Sequence, residues 1–200
     1  MIEIHPIRLT DGWNQGFALD IHTVRSEVVD DDGYGRPVFN NQRSQIGELL
    51  YQLKYQRDRT AVDAIVEVAV KFIKVDWGIG RSLHGVVPVP ASKARDFQPV
   101  MVIARAISTR LEVPFEGNIV SKVRNTPQLK DVEPDQRLGL GLLKDAFSVD
   151  VGCLMGRNVL LVDDLYRSGA TLSAVSRVLQ EVGKANKVYV LALTKTRVSS

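Results

Sequence analysis

The chain has 200 residues, of which 44% are hydrophobic and 24% are charged, with a net charge of +3. This length and composition are typical of one globular domain with a sizeable core, and the small positive charge does not by itself indicate a nucleic-acid partner. One cysteine and three histidines are too few for a zinc ribbon or a disulfide framework. Because neither an apolar run of transmembrane length nor a signal peptide is evident, we expect a cytoplasmic protein without a membrane partner.

The N-terminal segment at 1–43 is predicted to form a small hood of strands. Apolar positions alternate with small or polar ones over 17–22, which predicts a strand, and the acidic, glycine-containing run at 30–35 predicts a turn between two strands. Two interpretations of Asp20 and His22 are open. They are either polar contacts in a ligand pocket or exposed positions on an edge strand.

Apolar patterns predict helices and buried strands in the rest of the chain. Apolar residues recur at helical spacing in three stripes, and a proline suited to a first helical position begins the third. The stripes are Ile46, Leu49, Leu50 and Leu53; Val62, Ile65, Val66, Ala69, Phe72 and Ile73; and, after Pro99 at the first helical position, Val100, Ile103, Ala104, Ile107 and Leu111. Short apolar runs at 85–89, 159–162 and 188–193 predict the strands. Helices that alternate with buried strands indicate an α/β fold with a mostly parallel, twisted sheet flanked by helices.

The run VDDLYRSGAT at 162–171 joins the second of these strands to a fourth helix. That helix is predicted to begin between Ser168 and Thr171 and to end before Gly183 as the C′ residue. Ligands bind beyond the carboxyl ends of parallel strands, and a loop of small residues at a helix N-terminus offers N–H groups and hydroxyls to a phosphate.

Asp163 and Asp164 precede this loop and would repel a phosphate that they faced. They are better suited to accept hydrogen bonds from a neutral polyol such as ribose. Successive strand residues point to opposite faces, so both can serve one sugar only if the extended backbone has ended by Asp163. The alternative interpretation is an Asp-Asp turn that caps a buried strand, with an ordinary helix cap behind it.

The run at 162–171 resembles the phosphoribosyl pyrophosphate (PRPP) signature of type I phosphoribosyltransferases. Further segments resemble the ComF family of competence-associated phosphoribosyltransferase-like proteins, in the same order along the chain from about 46 to 196. They are LKY at 53–55, HGVVPVPASKARDFQ at 84–98, and RNTPQ at 124–128 with Arg137 and the AF pair at 146–147 behind it. The resemblance implies a single phosphoribosyltransferase domain, with 1–43 as the hood and 44–200 as the core.

The resemblance also implies three groups of site residues. The ribose and 5′-phosphate of PRPP would be bound by Asp163, Asp164, Tyr166, Arg167, Ser168, Gly169, Ala170 and Thr171. Pyrophosphate would be bound by Ala91, Ser92, Lys93 and Arg95, although a proline-punctuated surface loop with solvated cations is the alternative there. Catalysis would depend on Asp163 and Asp164 and on the cations Lys122 and Arg124 of a basic loop at 121–137. The alternative for that loop is a solvated segment with no catalytic part.

Three departures from the family pattern concern the function. Asp96 places a negative charge in the pyrophosphate corner, and Arg167 stands where the family commonly has threonine. The cysteine-rich zinc-binding module with which many ComF-type proteins begin has no counterpart in this sequence.

We therefore expect an enzyme, a PRPP-dependent phosphoribosyltransferase that transfers ribose 5-phosphate to a nitrogen nucleophile and releases pyrophosphate. Mg²⁺ would be bound mainly through PRPP. The alternative is a non-catalytic protein that binds PRPP or a nucleotide and acts in regulation or DNA uptake. The expected partners are PRPP and an unidentified nucleophilic acceptor, with a homodimer possible by the resemblance and nucleic acid not expected as a direct ligand.

Overall fold

A five-stranded sheet forms the centre of the molecule. The computed structural model describes residues 2–31, 34–56, 58–91, 97–123 and 146–197. The strands of the sheet are β1 (Ile7–Leu9), β2 (Gln15–Ile21), β5 (Val86–Pro88), β8 (Asn158–Tyr166) and β9 (Lys187–Lys195). Their order is β1-β2-β9-β8-β5, and only the β1–β2 pair is antiparallel. The predicted α/β fold with a mostly parallel sheet is confirmed.

Strand β8 contributes apolar side chains to both faces of the sheet. Leu160 and Val162 lie in one core cluster, whereas Val159 and Leu161 lie in the other, and all four are fully buried. This alternation explains why the strand is a continuous apolar run, as expected for a parallel strand covered on both sides.

Helices cover both faces. On one face lie α1 (Gln45–Tyr51), α2 (Thr60–Lys71) and α3 (Pro99–Leu111), and on the other lies α4 (Ala170–Glu181). Two π-helical segments, Gln52–Gln56 and Phe72–Asp76, continue α1 and α2, and a 3₁₀ turn follows at Gly80–Ser82. The three predicted apolar stripes face the first core cluster, which confirms the helices that they predicted.

The end of α4 differs from the prediction. Gly183 is not the left-handed residue that reverses the chain, because Lys184 takes that conformation with φ at 60°. A Cβ at Gly183 would lie 2.7 Å from the carbonyl oxygen of Leu179, so glycine is required there by close packing.

Only part of the N-terminal segment stands apart from the sheet. The predicted strand at 17–22 is confirmed as β2, but β2 pairs with β1 on one side and β9 on the other. The interpretation of Asp20 and His22 as exposed edge positions is therefore wrong: Asp20 is only 4% exposed and His22 is half-buried. The hood-like element is the hairpin of β3 (Thr23–Asp31) and β4 (Pro37–Arg43).

The first turn of α1 packs directly on the end of β2. Ser44 caps the helix by accepting from the N–H of Gly47 (3.1 Å), and its own hydroxyl donates to the carbonyl of Ile21 (2.5 Å). A Cβ at Gly47 would lie 2.4 Å from the carbonyl oxygen of His22, which is backbone and has no rotamer by which to move aside. Glycine at 47 therefore allows the close approach that fixes His22.

Replacing Gly47 by Ala should reduce the free energy of unfolding by about 1–3 kcal/mol, because the added methyl group must displace backbone. Denaturant unfolding would measure the loss. Gly12→Ala is the matched control, since a Cβ at Gly12 meets nothing within 4 Å. Equal stability of the two variants would contradict the packing described for α1.

Candidate functional site

The two carboxylates lie inside β8 rather than beyond it. The ladder to β9 includes Asp163 opposite Ala192 and continues to Tyr166 opposite Lys195. The condition under which both side chains would share one face is therefore not met, because the backbone stays extended past Asp163. By alternation along the strand, Asp164 follows Leu160 and Val162 toward α1, and Asp163 follows Leu161 toward α4. A single sugar would have to contact them across the end of the strand.

Asp163 carries the most perturbed carboxyl group of the site. Its Oδ1 accepts a hydrogen bond from the backbone N–H of Asp164 at 2.8 Å. Burial, followed by repulsion from the Asp164 carboxylate, raises the pKa of Asp163 to about 7. Near neutral pH this side chain can therefore either accept or donate a hydrogen bond.

Asp164 forms an ion pair with Lys54, which extends from the π-helical segment that continues α1. The lysine side chain is 18% exposed and the carboxylate 22%, so the pair is largely removed from solvent. The sequence contained a signal for Lys54, the LKY segment at 53–55, but the pairing with Asp164 was not predicted. Irregular π-helical turns are frequent at functional sites, and this one directs a cation to the carboxylate.

A hydrogen-bond chain connects β2 to β8 across β9. Nδ1 of His22 lies 3.1 Å from Oγ1 of Thr194, and that hydroxyl donates to the backbone carbonyl of Asp164 at 3.0 Å. Thr194 is fully buried. Burial, then the positive charges of Lys54 and Arg43, lower the pKa of His22. His22 thus lies beside the candidate ribose site, and the prediction that it contacts a ligand in a pocket stays a prediction.

Arg43, at the end of β4, adds a second cation on this side. Its guanidinium lies 3.7 Å from the centroid of the Tyr51 ring and pairs with Glu48 at 3.1 Å. The rings of Tyr51 and Tyr55 are 4.9 Å apart between centroids. The hairpin is therefore tied to α1 next to the pair formed by Lys54 and Asp164.

The loop after β8 has the geometry of an anion site. Gly169 is the N-cap of α4 with φ at 77°, and α4 begins at Ala170, within the predicted range. A Cβ at Gly169 would lie 2.8 Å from the hydroxyl oxygen of Tyr166, so both conformation and space require glycine. Arg167 and Ser168 are exposed, whereas Thr171 is half-buried. The first N–H groups of a helix have no partner within it, which leaves those at 170 and 171 suited to bind a phosphate oxygen.

Asp11 lies against the first turn of α4 and was not recognised from the sequence. Its carboxylate accepts a hydrogen bond from Ser173. Burial, followed by the negative charge of Asp11, raises the pKa of Tyr166. The Trp13 ring meets the Tyr166 ring edge to face, with centroids 6.5 Å apart. No local pattern distinguishes Asp11 from other acidic turn residues, because its neighbours in space come from β8 and α4.

The candidate pyrophosphate corner follows β5, the strand next to β8. The N–H of Val89 donates to the carbonyl of Val162 at 2.9 Å, which keeps the chain beside β8 until just before Ala91. Ala91 is exposed at this end of the sheet. Ser92, Lys93 and Arg95, together with Asp96, lie outside the described residues.

The candidate catalytic cations are described only in part. Lys122 lies in β6 (Ser121–Lys122), which pairs with β7 (Phe147–Ser148) so that Lys122 is opposite Phe147. Arg124 and the rest of the basic loop lie outside the described residues, so the closure of that loop over a substrate stays a prediction.

Two features of the described part of the chain concern metal ions and membranes. Among these residues, no group of three or more His, Cys, Asp or Glu side chains is arranged to hold a metal ion. None of the helices there is both long enough and apolar enough to span a bilayer.

The sequence is similar to two curated competence proteins. It is 30% identical over 110 residues to competence protein ComFC of Bacillus subtilis, a match that covers 55% of this chain and 44% of that protein. It is 30% identical over 107 residues to competence protein F of Haemophilus influenzae, covering 50% of this chain and 45% of that protein. The matches span less than half the length of these relatives. No protein-family model matches the chain.

Solved structures that resemble the chain include adenine phosphoribosyltransferases and a purine phosphoribosyltransferase. The adenine phosphoribosyltransferase of Leishmania donovani has a TM-score of 0.48 at 12% identity and covers 90% of this chain and 71% of that one. The adenine phosphoribosyltransferase of Thermoanaerobacter pseudethanolicus has a TM-score of 0.47 at 17% identity, and the match covers 86% of this chain and 95% of that one. The purine phosphoribosyltransferase of Pyrococcus horikoshii has a TM-score of 0.43 at 16% identity, and the match covers 69% of this chain and 77% of that one. The sequence matches confirm the resemblance to ComF-type competence proteins, on an α/β fold with a mostly parallel sheet.

Proposed function

We propose that the protein is a PRPP-dependent phosphoribosyltransferase that transfers ribose 5-phosphate to a nitrogen nucleophile and releases pyrophosphate. The observation that carries this proposal is the junction of β8 and α4. There, two carboxylates, a left-handed glycine and a helix N-terminus follow one another within eight positions, 163–170. The PRPP-like signature at 162–171 and the similarity to ComF-type proteins support it.

The ribose of PRPP would lie over the end of β8. Asp164 would accept hydrogen bonds from the ribose hydroxyls, with Lys54 holding its carboxylate in place. Asp163 would contact the sugar from the other side of the strand. Charge-assisted hydrogen bonds of this kind contribute about 1.5–3 kcal/mol each.

The 5′-phosphate would bind in the loop at 166–171. The backbone N–H groups at the start of α4 and the hydroxyls of Ser168 and Thr171 would bind its oxygens. Arg167 would replace the hydroxyl of the family's usual threonine with a positive charge. The Asp11 carboxylate sits behind the first turn of α4, where its hydrogen bond with Ser173 holds it.

Pyrophosphate would leave toward β5 and the basic loop. Lys93, Lys122 and Arg124 would stabilise the charge that develops on the leaving group, while Asp163 and Asp164 stabilise the positive charge on the ribose ring. Closure of the loop would exclude water from the anomeric carbon.

A magnesium ion, when bound with PRPP, would neutralise part of the charge of the pyrophosphate oxygens. Since the described residues hold no cluster of metal-binding side chains, the substrate itself would supply most of the ligands.

A second candidate function is a non-catalytic PRPP-binding or nucleotide-binding protein with a regulatory or DNA-uptake role. The names of the two curated relatives favour it, as does Lys54, which already neutralises one carboxylate of the site. The departures at Asp96 and Arg167 point the same way. Pyrophosphate release separates the two candidates, because both require PRPP binding and only the enzyme turns it over.

Changing both Asp163 and Asp164 to Asn should weaken PRPP binding by at least about 100-fold, since two charge-assisted acceptors are lost. Calorimetric titration with Mg-PRPP would measure the change. The double change of Asp76 and Asp150 to Asn is the matched control, because both are exposed and, above the pKa of Asp163, each double change removes two negative charges. Undiminished affinity after the change at 163 and 164 would contradict the ribose site.

The affinity for PRPP should rise as the pH increases through about 7 and level off above it. Ribose hydroxyls donate best to an ionised carboxylate, and the pKa of Asp163 in the free protein is raised, so protonation below that pKa opposes binding. Titrations of wild-type protein and of Asp163→Asn from pH 6 to 9 would measure the effect. The change in PRPP's own charge is common to both proteins, so identical pH profiles would contradict the role of Asp163.

Changing Lys122 and Arg124 to Ala should slow pyrophosphate release by about 100-fold or more, with a much smaller effect on PRPP affinity. Their charges are proposed to act mainly on the leaving group. The control is Arg81→Ala with Lys187→Ala, two exposed cations near the opposite end of the strands. An unchanged rate would remove Lys122 and Arg124 from the mechanism.

A further inference from the structure

His22 is held rigidly where β2, β9 and α1 meet. Its backbone N–H donates to the carbonyl of Lys195 at 2.7 Å, and its carbonyl accepts from the N–H of Ser44 at 3.3 Å. The close approach of Gly47 packs the first turn of α1 against the same carbonyl. The imidazole therefore leaves a fixed backbone at the carboxyl end of the sheet, on the side of the hairpin.

The hydrogen bonds of Thr194 determine which ring nitrogen of His22 carries the proton. The single hydroxyl proton of Thr194 is donated to the carbonyl of Asp164 at 3.0 Å, and a carbonyl can only accept. The contact of 3.1 Å between Oγ1 of Thr194 and Nδ1 of His22 then requires a proton on Nδ1. In the neutral imidazole, Nε2 bears the lone pair.

The charges around the ring favour the neutral form. Burial contributes most to lowering the pKa of His22, followed by Lys54 from the π-helical segment, Arg43 from β4 and Arg167 from the loop after β8. Asp164 on β8 opposes them, and Thr194 on β9 is uncharged. At neutral pH the imidazole is therefore a base with an available lone pair, two hydrogen bonds away from the backbone of a candidate ribose-binding residue.

We propose that His22 is the general base that accepts the proton of the incoming nucleophile. This inference rests on the proposed function. The lone pair of an N–H nucleophile forms the bond to the anomeric carbon, and the bond from that carbon to the pyrophosphate oxygen breaks with its electron pair leaving on pyrophosphate. The proton released from the nitrogen passes to Nε2 of His22, which becomes an imidazolium.

This role narrows the class of acceptor. The attacking nitrogen must carry a proton to give up, as ammonia, an amine, an amide or a ring N–H does, whereas a fully substituted nitrogen needs no base. Thr194 is then a positioning residue, because it acts on the acceptor only by fixing the tautomer and orientation of His22.

The tautomer can be measured without an acceptor. Long-range ¹H–¹⁵N spectra of protein labelled at histidine should show His22 neutral at pH 7 with its proton on Nδ1. His84 is an internal reference of the opposite kind, since its Nδ1 accepts the backbone N–H of Asn158 at 3.0 Å and its proton must be on Nε2. In Thr194→Val the preference of His22 for Nδ1–H should be lost. A wild-type His22 that is protonated on Nε2 alone, or is doubly protonated at pH 7, would overturn the assignment.

The kinetic test uses His22→Asn, because the Asn side-chain amide keeps a donor for Thr194 and removes the base. With Mg-PRPP and ammonia as nucleophile, pyrophosphate release should fall about 100-fold to 10,000-fold, the usual range for loss of a general base, while PRPP affinity stays within about threefold. His84→Asn is the matched control and should keep the wild-type rate, since its amide oxygen can still accept from Asn158.

The outcomes separate this inference from the proposed function. Wild-type protein that fails to bind PRPP would overturn the proposed function itself. Wild-type protein that binds PRPP but releases no pyrophosphate in the presence of ammonia would overturn the transferase function as well. If wild type releases pyrophosphate and His22→Asn releases it at the same rate, only the role of His22 is overturned and the proposed function stands.

Discussion

The candidate site depends on two adjacent carboxylates inside the last part of β8, a strand whose preceding residues are buried on both faces. Removing a charged group from water costs several kcal/mol unless a partner or a proton neutralises it. The molecule uses both solutions. Asp164 is paired with Lys54, and the raised pKa of Asp163 lets it carry a proton near neutral pH. With both solutions in place, a neutral polyol bound at the candidate ribose site would not meet an uncompensated pair of negative charges.

The same constraint explains why distant parts of the chain meet there. Lys54 reaches Asp164 because α1 continues into a π-helical segment, and α1 is fixed by the contact of Gly47 with the end of β2. That contact also fixes His22, whose hydrogen-bond chain through Thr194 ends on the backbone of Asp164. The candidate ribose site, the proposed base and the attachment of the hairpin are thus parts of one packed unit.

Most of the fold could be predicted from the sequence because its signals are local. The apolar run in β8 and the apolar stripes of the helices have the periods that packing requires, and the loop at 166–171 has the residues that an anion site needs. The position of β2 could not be predicted in this way. Its alternating pattern is typical of a half-exposed strand, and the partner that makes it internal is β1, a strand of three residues that is too short to show a period. Strand β1 pairs with β2 at Gly16, Phe17 and Ala18, so β2 is not at the edge there, and His5, just before β1, contacts the Asp20 carboxylate at 3.2 Å.

The parts of the site that sequence reasoning missed are contacts between distant elements. Nothing near Lys54 specifies that it pairs with Asp164, nothing near Thr194 specifies its bond to His22, and Asp11 resembles an ordinary turn residue. Each role arises only when the sheet order β1-β2-β9-β8-β5 brings β2 and β8 to either side of β9.

The central claim is that the end of β8 and the loop behind it form a PRPP site. Calorimetric titration of Mg-PRPP into the wild-type protein tests it most directly, with ribose 5-phosphate and pyrophosphate as separate ligands for comparison. We expect saturable binding at one site per chain, with PRPP bound more tightly than either fragment and more weakly when magnesium is removed. An absence of PRPP binding, or equal affinity for PRPP and for inorganic pyrophosphate alone, would contradict it.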